Sequence, residues 1–139
     1  MSSLNLAATG AGVLSFAVYF AGALGFCVAY CALYTRITPH KEFDLIVREA
    51  NGAAAVAFGG SLLGFALALA GALHVSTSVL EFVFWGAVAF VTQLIAYALA
   101  AFVHPDLSPA IERNTLAAGV WVAAASVAAG VLSAACMSP

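Results

Sequence analysis

Four uninterrupted apolar runs decide what this chain can fold into. They extend from Gly12 to Tyr34, Gly52 to Leu73, Val79 to Val103 and Leu116 to Met137; only the third holds a charged side chain, Glu81, close to its start. An α-helix rises 1.5 Å per residue, so about 20 residues cross a hydrocarbon layer about 30 Å thick, and each run is long enough. The runs are continuously apolar, which fits helices that satisfy their own backbone groups in lipid and not the shorter alternating strands of a barrel. Composition leaves no other solvent for such a surface: 65% of the 139 residues are hydrophobic and 7% are charged, against about 25% charged in a water-soluble domain. The expectation is an all-α membrane protein whose main partner is the lipid bilayer, a single membrane domain over residues 1–139 without room for a separate soluble unit. A cleaved signal peptide does not suit the first run, because no Lys or Arg precedes it and it is too long for the usual apolar core of a signal. A net charge of -2 with four basic residues gives no footprint for nucleic acid.

Most of the charge is collected in one place. The stretch YTRITPHKEFDLIVREAN, between the first two runs, holds Arg36, Lys41, Glu42, Asp44, Arg48 and Glu49. Arg113 lies between the last two runs, and the opposite loops carry no Lys or Arg. Because basic residues are retained on the cytoplasmic side, both connections are expected there, with both termini extracytoplasmic. Thr38-Pro39 reads as a helix cap followed by a first helical residue. Phe43, Ile46 and Val47 then share one side, and Asp44 and Arg48 stand four apart. These features predict a short amphipathic cytoplasmic segment between helices 1 and 2. Its charges serve either as a topology signal with a solvated face or as a surface for a partner, formed by His40, Lys41, Glu42, Asp44, Arg48, Glu49 and Asn51. The second connection, HPDLSPAIERN, repeats the plan with Ser108-Pro109 as cap and first residue, and adds Arg113 and Asn114 to that surface.

A shift of about 65 residues lays IVREANGAAA over AIERNTLAAG and Ser61 over Ser126. Residues 12–73 and 79–137 are therefore read as two tandem repeats of two transmembrane helices each. An even number of spans makes the repeats parallel, related by an axis near the membrane normal. The second and fourth runs each carry a seam of small residues: Ala53, Ala57, Gly60, Gly64 and Gly71 in one, Gly119, Ala123, Ser126, Gly130 and Ser133 in the other. Small side chains let helix backbones approach where lipid gives no hydrophobic drive, so Gly60, Gly64, Gly119, Ser126 and Gly130 are expected at helix contacts, within a chain or between chains. A pore lining is the other use of such a seam.

Chemistry is sparse. Cys27 and Cys31 lie within the first run and Cys136 near the end of the fourth, with no CxxC or Cys/His spacing, and they read as small apolar residues. His40 and His104 each stand next to a proline at a run's end; they read as interfacial histidines, the alternative being a pH-sensing or metal-binding pair. No nucleophile elbow or phosphate loop is present, and the carboxylates Glu42 and Asp44 are expected only to pair locally with Lys41 and Arg48. The sequence therefore nominates no catalytic residue, cofactor or metal ligand. Within the membrane the polar residues are Glu81, Thr92 and Gln93. Gln93 is suited either to an interhelical hydrogen bond or to a hydrated path.

The segments TPHKEFDLIVREANGAAA, AFGGSLLGFAL, FWGAVAFVTQL, PDLSPAIERNTLAAG and the terminal SAACM closely resemble the YjfL-like family of small bacterial inner-membrane proteins, from about Leu14 to Met137. That resemblance implies two tandem two-helix repeats with four spans and a domain of unknown function. It also implies an envelope-stress setting, since genes of the family often neighbour those for phage-shock-type membrane-stress proteins and for ATP-grasp ligases similar to glutathionylspermidine synthetase. This chain departs from the family pattern at Ala68, where relatives commonly have proline, and at Ser133, where they have asparagine. NTLAAG carries one residue more than the family pattern, so either Asn114 or Thr115 takes the family's asparagine position.

Two functional classes remain. One is a non-enzymatic structural or regulatory protein of the inner membrane, a homo-oligomer that meets a cytoplasmic membrane-stress protein through its charged loops. The other is an oligomeric channel or transporter subunit with a pathway near Gln93 and Glu81.

Overall fold

A computed structural model describes residues 5–137, and the expected extracytoplasmic placement of the extreme termini concerns residues that lie partly outside them. The described residues form helices and no strands. The long helices are α1 (Leu6–Ile37), α2 (Gly52–Val75), α3 (Val79–Val103) and α5 (Leu116–Met137), with a short α4 (Leu107–Glu112) before the last. All four long helices are apolar and long enough to cross a membrane. The starts of the last three agree with the apolar runs, while α1 begins six residues before its run and ends three after it, at 32 residues or about 48 Å.

The ends of α1 have local causes. Asn5 caps the start, its side chain accepting from the Ala8 N–H at 3.5 Å. At the other end the Thr38 hydroxyl donates to the Tyr34 carbonyl at 3.0 Å, and the backbone turns extended at Thr38 because Pro39 comes next. Thr38-Pro39 is thus the stop of α1 and not the start of an amphipathic helix. Beyond Pro39 the chain makes a bend and then one π-helical turn, Asp44–Arg48. Its buried residue is Leu45, while Val47 is 77% exposed and Phe43 reaches only the edge of Phe58. The expected Phe43, Ile46 and Val47 face is therefore replaced by Leu45 with a half-buried Ile46, because a π-turn of five residues does not hold the 3.6-residue period. Asp44 and Arg48 do approach, at 3.6 Å on the surface. In the second connection α4 starts at Leu107 after Asp106, so Ser108 is a helical residue and not the cap.

Helices α2 and α5 form the centre. Their contacts pair Ala53 with Gly119, Gly60 with Ala123, Gly64 with Ser126 and Gly130, and Gly71 with Ala134, so the two helices run parallel in a nearly constant register. A Cβ on Gly60 would lie 2.2 Å from the Ala123 Cβ, one on Gly64 2.2 Å from the Ser126 carbonyl oxygen, and one on Gly130 2.0 Å from the Gly64 carbonyl oxygen. Only hydrogen fits at these points, and the backbones close on one another there. Helix α3 packs against both α2 and α5, with Phe82, Ala89, Gln93, Ala96 and Ala100 buried. Helix α1 leans on this trio through Tyr30, stacked on Phe65 with centroids 4.6 Å apart, and through Phe26 and Tyr19 at the edge of Phe82. Its first half, including Val13, Leu14 and Phe16, is exposed.

Candidate functional site

The two connections at the charged end are stitched together by buried bonds. Asn51 caps α2, accepting from the Ala54 N–H at 2.9 Å, and its side-chain amide donates to the Ile111 carbonyl at 2.7 Å and the Glu112 carbonyl at 3.3 Å. Asn114 returns the link, its side-chain oxygen accepting from the Ala53 N–H at 3.0 Å. Ala50 and Asn114, each the second residue before a long helix, have positive φ of 50° and 59°. Asparagine tolerates this left-handed conformation, while alanine is strained in it by about 1 kcal/mol. By backbone conformation, then, Asn114 corresponds to Ala50, and Thr115 corresponds to Asn51.

The more unexpected part is His40 with Glu42. Both are buried, at 2% and 1% exposure, although they sit in the most charged stretch of the chain. His40 Nε2 bonds Glu42 Oε1 at 2.5 Å, and His40 Nδ1 bonds the Ser108 hydroxyl at 2.7 Å, across 68 residues of sequence. His40 is therefore not an interfacial histidine, and Glu42 pairs with His40 and not with Lys41, which is exposed. His104, half-buried, is not paired with His40 among the described residues. The order Ser108, His40, Glu42 has the connectivity of a nucleophile, base and carboxylate relay. The adjoining surface groove is lined by Pro39, His40, Lys41, Asp44, Leu45, Glu49 and Glu112. The three residues act as a tether between the first connection and α4.

Below the tether, polar groups from separate helices gather in the interior. The rings of Tyr34 on α1 and Tyr97 on α3 meet edge to face, with centroids 5.3 Å apart. Tyr30 and Tyr34 lie side by side on α1, ring centroids 6.0 Å apart, with both hydroxyls buried. Ser61 meets Ser126, Oγ to Oγ, at 3.2 Å, and Gln93 donates to the Ser126 carbonyl at 3.2 Å. Four buried polar atoms in this column have no partner among the described residues: Glu42 Oε2, Tyr34 Oη, Tyr30 Oη and Gln93 Oε1. Burying such atoms unpaired costs about 1–3 kcal/mol each.

The remaining sequence candidates lie apart from the column. Glu81 is near the opposite end, where its carboxylate accepts from the Thr77 N–H at 2.7 Å and the Thr77 hydroxyl at 2.8 Å. Thr92 donates to Val88 in its own helix at 2.8 Å. Glu81 and Gln93 are twelve positions apart on α3, about 18 Å along the helix, with buried Phe82, Gly86 and Ala89 between them, so they share no environment. Arg48, Glu49 and Arg113 are on the surface. Cys27 and Cys31 are half-buried and Cys136 is exposed; all are free thiols. Among the described residues no three His, Cys, Asp or Glu side chains converge as a metal cluster. Sequence reasoning put Glu42 on an outward partner surface, where the structure buries it against His40, and it missed the three tyrosines; the signal available was a His-x-Glu beside a proline, with tyrosines near the matching ends of two apolar runs.

Comparison of the sequence with known proteins places the chain in a family. The chain is 36% identical over 126 residues to the UPF0719 inner membrane protein YjfL of Escherichia coli (strain K12), covering 91% of this chain and 95% of that one. It is 28% identical over 109 residues to the UPF0719 transmembrane protein YshE of Bacillus subtilis (strain 168), covering 77% of this chain and 81% of the relative. No solved structure matches it. Residues 8–137 match the family model described as Domain of Unknown Function (DUF350), and the chain belongs to that family.

Proposed function

We propose that this chain is a non-enzymatic protein of the bacterial inner membrane, with both termini extracytoplasmic, which works as a homo-oligomer in a structural or regulatory role during envelope stress. The observation that carries this reading is the locked charged end: the His40–Ser108 and Asn51–Ile111 bonds join the two charged connections into one built surface. Such a surface, with Lys41, Arg48, Glu49 and Arg113 facing outward, suits a cytoplasmic partner better than a loose loop does. The relatives support the membrane, since YjfL is named an inner membrane protein. The offset between α2 and α5 supports two parallel repeats. The exposed first half of α1 gives a second copy a surface to pack on. The test combines a C-terminal reporter fusion with mass measurement of the purified chain in mild detergent. The expected result is an extracytoplasmic signal and a mass of more than one chain; a cytoplasmic signal, or a monomer at all concentrations, overturns the reading.

A further inference from the structure

We infer that two copies of this chain pair along the first half of α1, through a seam of Leu6, Gly10, Val13, Ala17, Phe20 and Leu24. The pairing rests on the homo-oligomer reading and names the surface that makes it. The need for a partner follows from where the helices end. Helix α1 runs parallel to α3 at a constant offset of 60 residues, with Gly22 against Phe82, Phe26 against Gly86 and Tyr30 against Phe90. It runs antiparallel to α2, with Tyr30 stacked on Phe65 and Tyr34 against Phe58. Both registers set Tyr19 and Phe20 level with the start of α3 at Val79 and the end of α2 at Val75. Residues 6–18 of α1 therefore stand about 20 Å beyond the helices that pack on the rest of it. All of them are exposed and none is charged. Because α2 and α3, at 24 and 25 residues, already cross a hydrocarbon layer of about 30 Å, the overhang passes out of the lipid that could cover it. Gly10 and Gly12 lower its helix propensity, so packing has to sustain it.

The overhang has two unlike sides. Thr9 and Ser15 fall on the side that continues the face of Tyr19 and Tyr30, while Leu6, Gly10, Val13 and Ala17 lie on the side turned away from the bundle. These four recur at alternating spacings of four and three, and the exposed Phe20 and Leu24 carry the same pattern down the membrane-facing side of α1. That is the heptad seam of a left-handed coiled coil, and it closes only against another helix with the same repeat. Copies in one bilayer share an orientation, so a second copy presents the identical seam in parallel, at the same height and with no charge to oppose the contact. A Cβ at Gly10 meets nothing within 4 Å, which leaves room for the partner's backbone.

The test is disulfide cross-linking of the purified full chain in lipid vesicles, oxidised with copper phenanthroline, with Cys27, Cys31 and Cys136 replaced by alanine and one cysteine introduced at a time. Val13→Cys and Ala17→Cys lie on the seam and Ser15→Cys lies off it; all three positions are exposed, so none disturbs the packing of a single chain. A disulfide needs Cβ atoms about 4 Å apart, and we expect the seam variants to form dimers about tenfold faster than Ser15→Cys. A rate at Ser15→Cys equal to or above that of the seam variants overturns the seam. So does the lack of a dimer from both seam variants when the mass in mild detergent exceeds one chain, and that result leaves the homo-oligomer standing. A monomeric mass with no cross-link at any position overturns both.

Discussion

Ser61 and Ser126 face each other in the middle of the bundle, their hydroxyl oxygens 3.2 Å apart across the contact of α2 with α5. They stand 65 residues apart in sequence. The pair is possible only because the backbones beside it are nearly in contact, with Gly60 against Ala123 and Gly64 against Ser126. Close approach and paired hydroxyls are one arrangement: the small residues bring two buried serines within reach, and each serine satisfies the other where lipid and apolar side chains cannot.

Adjacent glycines should therefore differ sharply. Gly64→Ala would drive a methyl against the Ser126 backbone, which cannot move without shifting α5, and should cost about 1–3 kcal/mol. Gly59→Ala meets nothing within 4 Å and should be neutral or slightly stabilising through helix propensity. Melting temperatures of the two variants in detergent check this; equal values would mean that α2 and α5 do not touch at Gly64.

The tether predicts another ordering. Ser108→Ala removes one hydrogen bond and should cost about 1 kcal/mol. His40→Ala strips a buried carboxylate of its hydrogen-bond partner and should cost about 3–5 kcal/mol. Denaturation of both variants gives the comparison, and a His40 variant no weaker than the Ser108 variant would place Glu42 in water.

Asn51 has two duties that substitution can separate. Asn51→Ser retains a hydroxyl to cap α2 but loses the amide that holds Ile111, and should cost about 1 kcal/mol. Asn51→Ala loses both and should cost about 2 kcal/mol. If the two variants melt together, the link to Ile111 contributes nothing.

The spans were legible because lipid imposes one demand on every residue of a run, so the apolar stretch beginning at Gly52 or Leu116 marks the helix almost to the residue. The seam was legible for a related reason, since Gly60, Gly64, Gly119 and Gly130 repeat at helical spacing. The charged stretch was not. Its local pattern favoured a helix from Pro39, but Thr38 and Pro39 finish α1, a decision made by the unsatisfied Tyr34 carbonyl at that helix's end. Burial of Glu42 goes with its bond to His40, which is held in turn by Ser108, and no window of neighbouring residues contains that serine. Gln93 was identified as polar from sequence, and its bond to the Ser126 backbone required the fold.

Gln93 gives the last test, because two nearly isosteric changes act in opposite ways on its bonds. Its amide nitrogen donates to the Ser126 carbonyl at 3.2 Å, while its amide oxygen is buried without a partner. Gln93→Leu removes the bond but also removes the unpaired oxygen, so the loss should be no more than about 1 kcal/mol. Gln93→Glu keeps an oxygen at the unpaired position, replaces the donor with a second acceptor facing the Ser126 carbonyl, and places an ionisable group deep among apolar helices. It should cost more than the Leu variant by about 2 kcal/mol. Thermal unfolding gives the ranking, and reconstituted Gln93→Glu should carry no current. A Glu variant as stable as the parent chain, with conductance in bilayers, would mean that water reaches Gln93 and that the interior column is a conduit.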